Sequence, residues 1–124
     1  MAERGAELKL HLHTRAVDDV TILYCHGWIT CGNEVAALSE RIERLLPHKQ
    51  HLVIELSGVE KIDSTGLGEL AMVMMWARAC GCSIKLANAR HKVQDLLELT
   101  NLSSVLEIHP SLDHALLGFQ GHVA

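Results

Sequence analysis

The chain has no long apolar run. Its longest uncharged apolar stretch, Leu70 to Ala77, falls far short of the roughly 20 residues needed to cross a bilayer, so no membrane insertion is expected. It has no run of lysine or arginine either: the formal net charge is -4 and aromatic residues fill 3% of positions. These absences remove the usual electrostatic footprint of a nucleic-acid binder. The polar start, Met1-Ala-Glu-Arg-Gly5, carries no signal-peptide pattern, and the expectation is a soluble, cytoplasmic protein. Cys80-Gly81-Cys82 is a Cys-x-Cys pair with no second pair at zinc-ribbon spacing, so the four cysteines are read as reduced thiols. No Gly-x-Ser-x-Gly elbow, Walker-type phosphate loop or dinucleotide fingerprint is present, and no repeat or low-complexity segment interrupts the chain.

What is present suits one globular domain. At 124 residues and 48% hydrophobic content the chain can bury a real core. Leu8, Leu10 and Leu12 alternate with Lys9, His11 and His13, the period of a half-buried strand. Val20 to His26 is rich in β-formers and ends at Gly27, which predicts a second strand joined to the first by a turn at Asp18-Asp19. Val35, Leu38, Ile42, Leu45 and Leu46 recur at helical spacing, and Pro47 stops that helix. A central strand follows from His51 to Leu56, with Ser57-Gly58 as a turn. A helix from Thr65 to Cys80 is ended by Gly81. After it come a strand at Ser83 to Ala87, a helix around Val93 to Thr100, a strand at Val105 to Ile108 and a last helix from Ser111 to Gly118. Strands separated by single helices favour an α/β architecture with a mostly parallel sheet of four to five strands, an antiparallel N-terminal hairpin edge and about four helices.

The most informative stretch is Ile62-Asp63-Ser64-Thr65-Gly66-Leu67-Gly68, which follows the central strand and opens the apolar helix. A serine at a helix start can act as an N-cap, with Asp63 and Thr65 as competitors for that role. The same position can also carry a phosphate, because the bare amides and positive end of a helix tolerate an added anion. Gly66 and Gly68 each cost about 1 kcal/mol of helix stability relative to alanine but leave room for another backbone to approach.

This stretch, Gly27 at the end of the second strand, and the layout over roughly residues 8 to 119 resemble the STAS domain in its free-standing bacterial form, the anti-sigma factor antagonists. The resemblance implies that Ser64 is the residue phosphorylated by a partner kinase that doubles as an anti-sigma factor, and that only unmodified protein binds that kinase tightly. It further implies that a serine phosphatase resets the site, that no cofactor is bound, and that the output is regulated sigma-factor-dependent transcription. Asp63, Thr65, Gly66, Leu67 and Gly68 would form the docking site, joined by Val73 and Trp76 from a helix with only Glu69 and Arg78 charged between Leu67 and Cys80. One departure stands out: the family pattern Gly-x-Leu-Asp reads Gly27-Trp28-Ile29-Thr30 here, leaving an uncharged residue where a carboxylate is common.

Two other readings of the module are a constitutive STAS subunit of a larger assembly, such as a stress-signalling scaffold or a lipid-transport ATPase complex, and a small hydrolase. The hydrolase would need His26, His91 or His109 as a base for Ser64, and no sequence spacing supplies that geometry. A metal reading starts from His11 and His13 on one strand face, but the sequence fixes no third ligand.

Overall fold

The computed structural model describes residues 8–46, 51–100 and 105–120. β1 (Leu10–Val17) turns through Asp18 and Asp19 into β2 (Val20–Ile29), with Val17 paired to Val20 and Asp18 at φ 54, a left-handed conformation that aspartate tolerates. The chain then runs through α1 (Asn33–Leu45), β3 (His51–Ile62), α2 (Ser64–Ala79), β4 (Ser83–Ala87), α3 (His91–Leu99), β5 (Ile108–His109) and α4 (Leu112–Gln120). The five strands lie in the order β1-β2-β3-β4-β5; the β1–β2 pair is antiparallel and the others are parallel. The expected architecture and element order are therefore present.

The sheet is covered on both faces, which is why β2, β3 and β4 read as nearly continuous apolar runs instead of alternating ones. One face holds the larger core, where Leu23, Cys25, Ile54 and Leu56 meet Leu38 and Ile42 of α1, Leu70 and Met74 of α2, and Leu97 of α3. On the other face Ile22, Val53 and Ala87 pack against Ala115 and Phe119 of α4. Lys85 and Glu55, both buried, are each held by polar partners. Lys85 pairs with Glu107, and Glu55 accepts bonds from the Ser57 amide, the Ser57 hydroxyl and the Asn88 amide nitrogen.

Three boundaries differ from the sequence reading. Ser57-Gly58 is not a turn: β3 continues through it to Ile62, and the register shift between Tyr24/Glu55 and His26/Gly58 makes it a bulge. Gly58 is required there because a Cβ would lie 2.2 Å from His26 Nδ1 and 2.8 Å from the Cys25 carbonyl oxygen. β2 likewise runs past Gly27 to Ile29. The strand expected at Val105 to Ile108 is only the pair Ile108–His109, with Val105 in a turn. Pro47, expected to stop α1, lies outside the described residues.

Candidate functional site

The site lies where the parallel strands end. β3 finishes at Ile62, Asp63 stands alone between elements, and α2 begins at Ser64. Asp63 settles the capping question. Its backbone is extended, and its carboxylate accepts the Gly66 amide at 2.8 Å through Oδ1, an N-cap bond, and the Cys31 amide at 2.9 Å through Oδ2. The second bond ties the start of α2 to the loop after β2, where the Asp63 amide also donates to the Ile29 carbonyl at 3.3 Å. These amide bonds, from Cys31 first and Gly66 next, hold the Asp63 carboxyl below the ordinary aspartate range.

Because Asp63 caps the helix, Ser64 is free of that duty. Ser64 and Thr65 are both exposed in the first turn, where the helix amides present their positive end. None of the histidines considered as a base is bonded to Ser64 among the described residues. His26 stacks on His13 at 5.3 Å, His91 faces Asp95 at 3.3 Å, and His109 contacts His114 and Glu107. His13 is itself stacked on Tyr24 at 4.7 Å, and among the described residues no three His, Cys, Asp or Glu side chains gather as a metal site.

The remaining expected docking residues separate into two groups. Gly66 is buried against β2, where a Cβ would lie 2.3 Å from the Ile29 carbonyl oxygen and 2.9 Å from its side chain. Its role is to let α2 approach its own sheet, not to admit a partner's backbone. Leu67 and Val73 are core residues, at 6% and 5% exposure. Val73, expected as a docking residue, is instead buried, because α2 packs against both the sheet and α1 and its buried face is wider than one stripe. The surface belongs to Ser64, Thr65, Gly68, Met72, Met75 and Trp76, which follow one side of the helix at spacings of about one turn. A Cβ added at Gly68 would meet nothing within 4 Å, and Met72, Met75 and Trp76 are 65%, 54% and 43% exposed. Beside them a cleft of about 230 Å³ between α1 and α2 is floored by Val73 and edged by Glu43 and Glu69.

Sequence reasoning missed Cys31, whose amide anchors Asp63, because a backbone donor leaves no signature in the sequence. All four cysteines are free: Cys31 and Cys80 are exposed, Cys82 is half-buried, and burial pushes the Cys25 thiol up to about 12. No helix among the described residues is long and apolar enough to cross a membrane.

The five-stranded mixed sheet with a capped Asp-Ser-Thr-Gly helix start defines a class, and the STAS domain profile matches residues 11–115; the chain belongs to the STAS domain family. Within it, the chain is 30% identical over 70 residues to a Thermotoga neapolitana protein provisionally named as an anti-sigma factor antagonist homologue, a span of 56% of this chain and 62% of that protein. The crystal structure of an anti-sigma factor antagonist from Mycobacterium paratuberculosis is similar with a TM-score of 0.75 and 26% identity, covering 90% of this chain and 94% of the other. The antagonist SpoIIAA, solved in its unphosphorylated form, shares the fold with a TM-score of 0.72 at 14% identity, covering 92% of this chain and 100% of the other.

Proposed function

We propose that the protein is a bacterial anti-sigma factor antagonist, a cytoplasmic binding module that sequesters an anti-sigma factor with serine kinase activity and is released by phosphorylation at Ser64. The observation that carries this reading is the division of labour at the start of α2. Asp63 does the capping, so Ser64 stands exposed, its hydroxyl unengaged among the described residues, beside an apolar stripe suited to docking. The names of the similar proteins support the same reading.

Both Asp63 oxygens are already bonded to amides, so a phosphate on Ser64 would not be drawn into the capping network. It would add about -1.5 to -2 charge next to that carboxylate, on ground the helix amides tolerate. The fold would survive while the docking surface gained negative charge beside Asp63 and Glu69. Met72, Met75 and Trp76 lie two to three turns down the same side of α2, and methionine's flexible side chain suits a surface that repacks against a partner. Asp63, Thr65 and Gly68 would shape recognition of the acceptor. The kinase brings the ATP, so the module needs no cofactor, and a serine phosphatase would restore binding and with it sigma-factor-dependent transcription.

The test is a titration of wild type and Ser64→Asp against the kinase captured from cells. Ser64→Asp should bind at least tenfold more weakly, about 1.4 kcal/mol. Equal affinity would favour a constitutive STAS subunit of a larger assembly, a reading that gains its weight from the uncharged Thr30.

A further inference from the structure

β3 outruns its neighbour. Its first half, His51 to Glu55, pairs with β4, but from Gly58 to Ile62 it pairs, among the described residues, with β2 alone. The open edge carries the devices that protect exposed strands from indiscriminate pairing. Glu60 is the extra residue of a bulge opposite Gly27 and Trp28, and Lys61 beside it is exposed. Between this edge and α3 lies a cleft of about 490 Å³. Trp28, Ile62, Val93 and Leu96 give it an apolar lining, with Lys61, Lys92 and Glu60 as its exposed charges.

The charge pattern runs against that of the whole chain. Lys61 Nζ lies 4.7 Å from the centroid of the Trp28 ring and Lys9 Nζ 5.1 Å from it. With Lys92 this gathers three ammonium groups against two carboxylates, Glu60 at the cleft and Glu34, which accepts the Lys9 amide at 2.9 Å, in a protein whose formal net charge is -4. None of the three lysines forms a salt bridge to a described residue. An apolar cleft edged by Lys61 and Lys92, with Lys9 nearby, is complementary to an acidic ligand with an apolar anchor.

We propose that this cleft is a docking site for an extended acidic segment of another protein. The segment lies along the open edge of β3, seats an apolar side chain against Trp28 and Leu96, and sets its carboxylates on Lys61 and Lys92. An unpaired strand edge favours an extended occupant over a helical one, because only an extended backbone can use the edge's free hydrogen-bonding groups. The cleft shares no lining residue with the groove between α1 and α2, so the proposal does not depend on the Ser64 reading.

The experiment is fluorescence anisotropy with a fluorescein-labelled Glu-Asp-Val-Glu-Leu-Asp-Ile-Glu peptide on the full chain at low salt, beside the same peptide with every acidic residue replaced by lysine. Saturable binding of the acidic probe alone is expected, with at least tenfold loss in Lys61→Glu/Lys92→Glu and a marked weakening as salt is raised. Both lysines are exposed, so circular dichroism of the variant should match wild type. A second variant, Trp28→Leu, should weaken binding without abolishing its salt dependence. No saturable binding, equal binding of the lysine peptide, or full affinity in the double variant would overturn the proposal. So would sedimentation of the protein with phosphatidylserine vesicles, lost in the double variant, when the peptide is ignored; that result would assign the lysines to a lipid surface.

Discussion

Removing the Asp63 carboxylate gives the sharpest quantitative test of how the site is built. In Asp63→Ala the Gly66 amide loses its cap and the Cys31 amide loses its acceptor. Loss of an N-cap costs about 1 kcal/mol, and a hydrogen bond to a charged acceptor contributes about 1.5 to 3 kcal/mol. The site is partly solvated, which favours the low end, so the expected loss is about 2 to 3 kcal/mol. For a domain of this size that is a fall of roughly 6 to 12 °C in Tm. Asp63→Asn keeps a side-chain oxygen for one amide and should lose about half as much. Urea unfolding followed by circular dichroism measures both variants. The pH dependence follows from the depressed carboxyl: its contribution is fully present above the ordinary aspartate range and is lost as pH falls through the lower folded value. The gap between wild type and Asp63→Ala should therefore close in acid. A loss under about 0.5 kcal/mol at neutral pH, or a gap unchanged in acid, would refute the reasoning.

Further outcomes follow from the same packing. Gly66→Ala should destabilise by about 1 to 3 kcal/mol, since its Cβ meets the Ile29 backbone, whereas Gly68→Ala, open on all sides, should stabilise by up to about 1 kcal/mol; urea midpoints compare the two. Glu107→Gln leaves the buried Lys85 ammonium without its carboxylate and should cost about 3 kcal/mol, while Lys85→Met should be close to neutral. Burial pushes the Glu107 carboxyl up, but the bond and charge of Lys85, with His109, outweigh it and hold the group below the ordinary glutamate range, so this contribution too is lost only as pH falls through that lowered value. A thiol reagent at pH 8 should modify Cys31 and Cys80 quickly and Cys25 only after unfolding, read by peptide mass spectrometry.

Much of this was legible in the sequence because the signals were periodic. The apolar spacing of Val35, Leu38 and Ile42 places α1 against the sheet, and the uninterrupted apolar character of Leu52, Val53 and Ile54 marks a strand buried on both faces. The Asp-Ser-Thr-Gly stretch was readable as a strand-to-helix junction. What the sequence concealed depended on contacts between distant segments. Ser57-Gly58 has the composition of a turn, but Gly58 serves the close passage of His26 in a neighbouring strand. Val73 is buried one turn from Leu70 and Ala77, on a face of α2 widened by its packing against both the sheet and α1. Among Asp63, Ser64 and Thr65 it is Asp63 that caps, and its second oxygen is held by the Cys31 amide, a group 32 residues away.

The central claim is that Ser64 is the switch, and the most direct measurement is transfer of phosphate. The kinase retained by wild-type protein from a cell lysate is incubated with isotope-labelled ATP and with wild type, Ser64→Ala or Thr65→Ala, and the labelled peptide is mapped by mass spectrometry. The account predicts label on Ser64 in wild type and Thr65→Ala, none in Ser64→Ala, and release of the phosphorylated protein from the kinase. Label on Thr65, or a retained partner that transfers no phosphate, would contradict it.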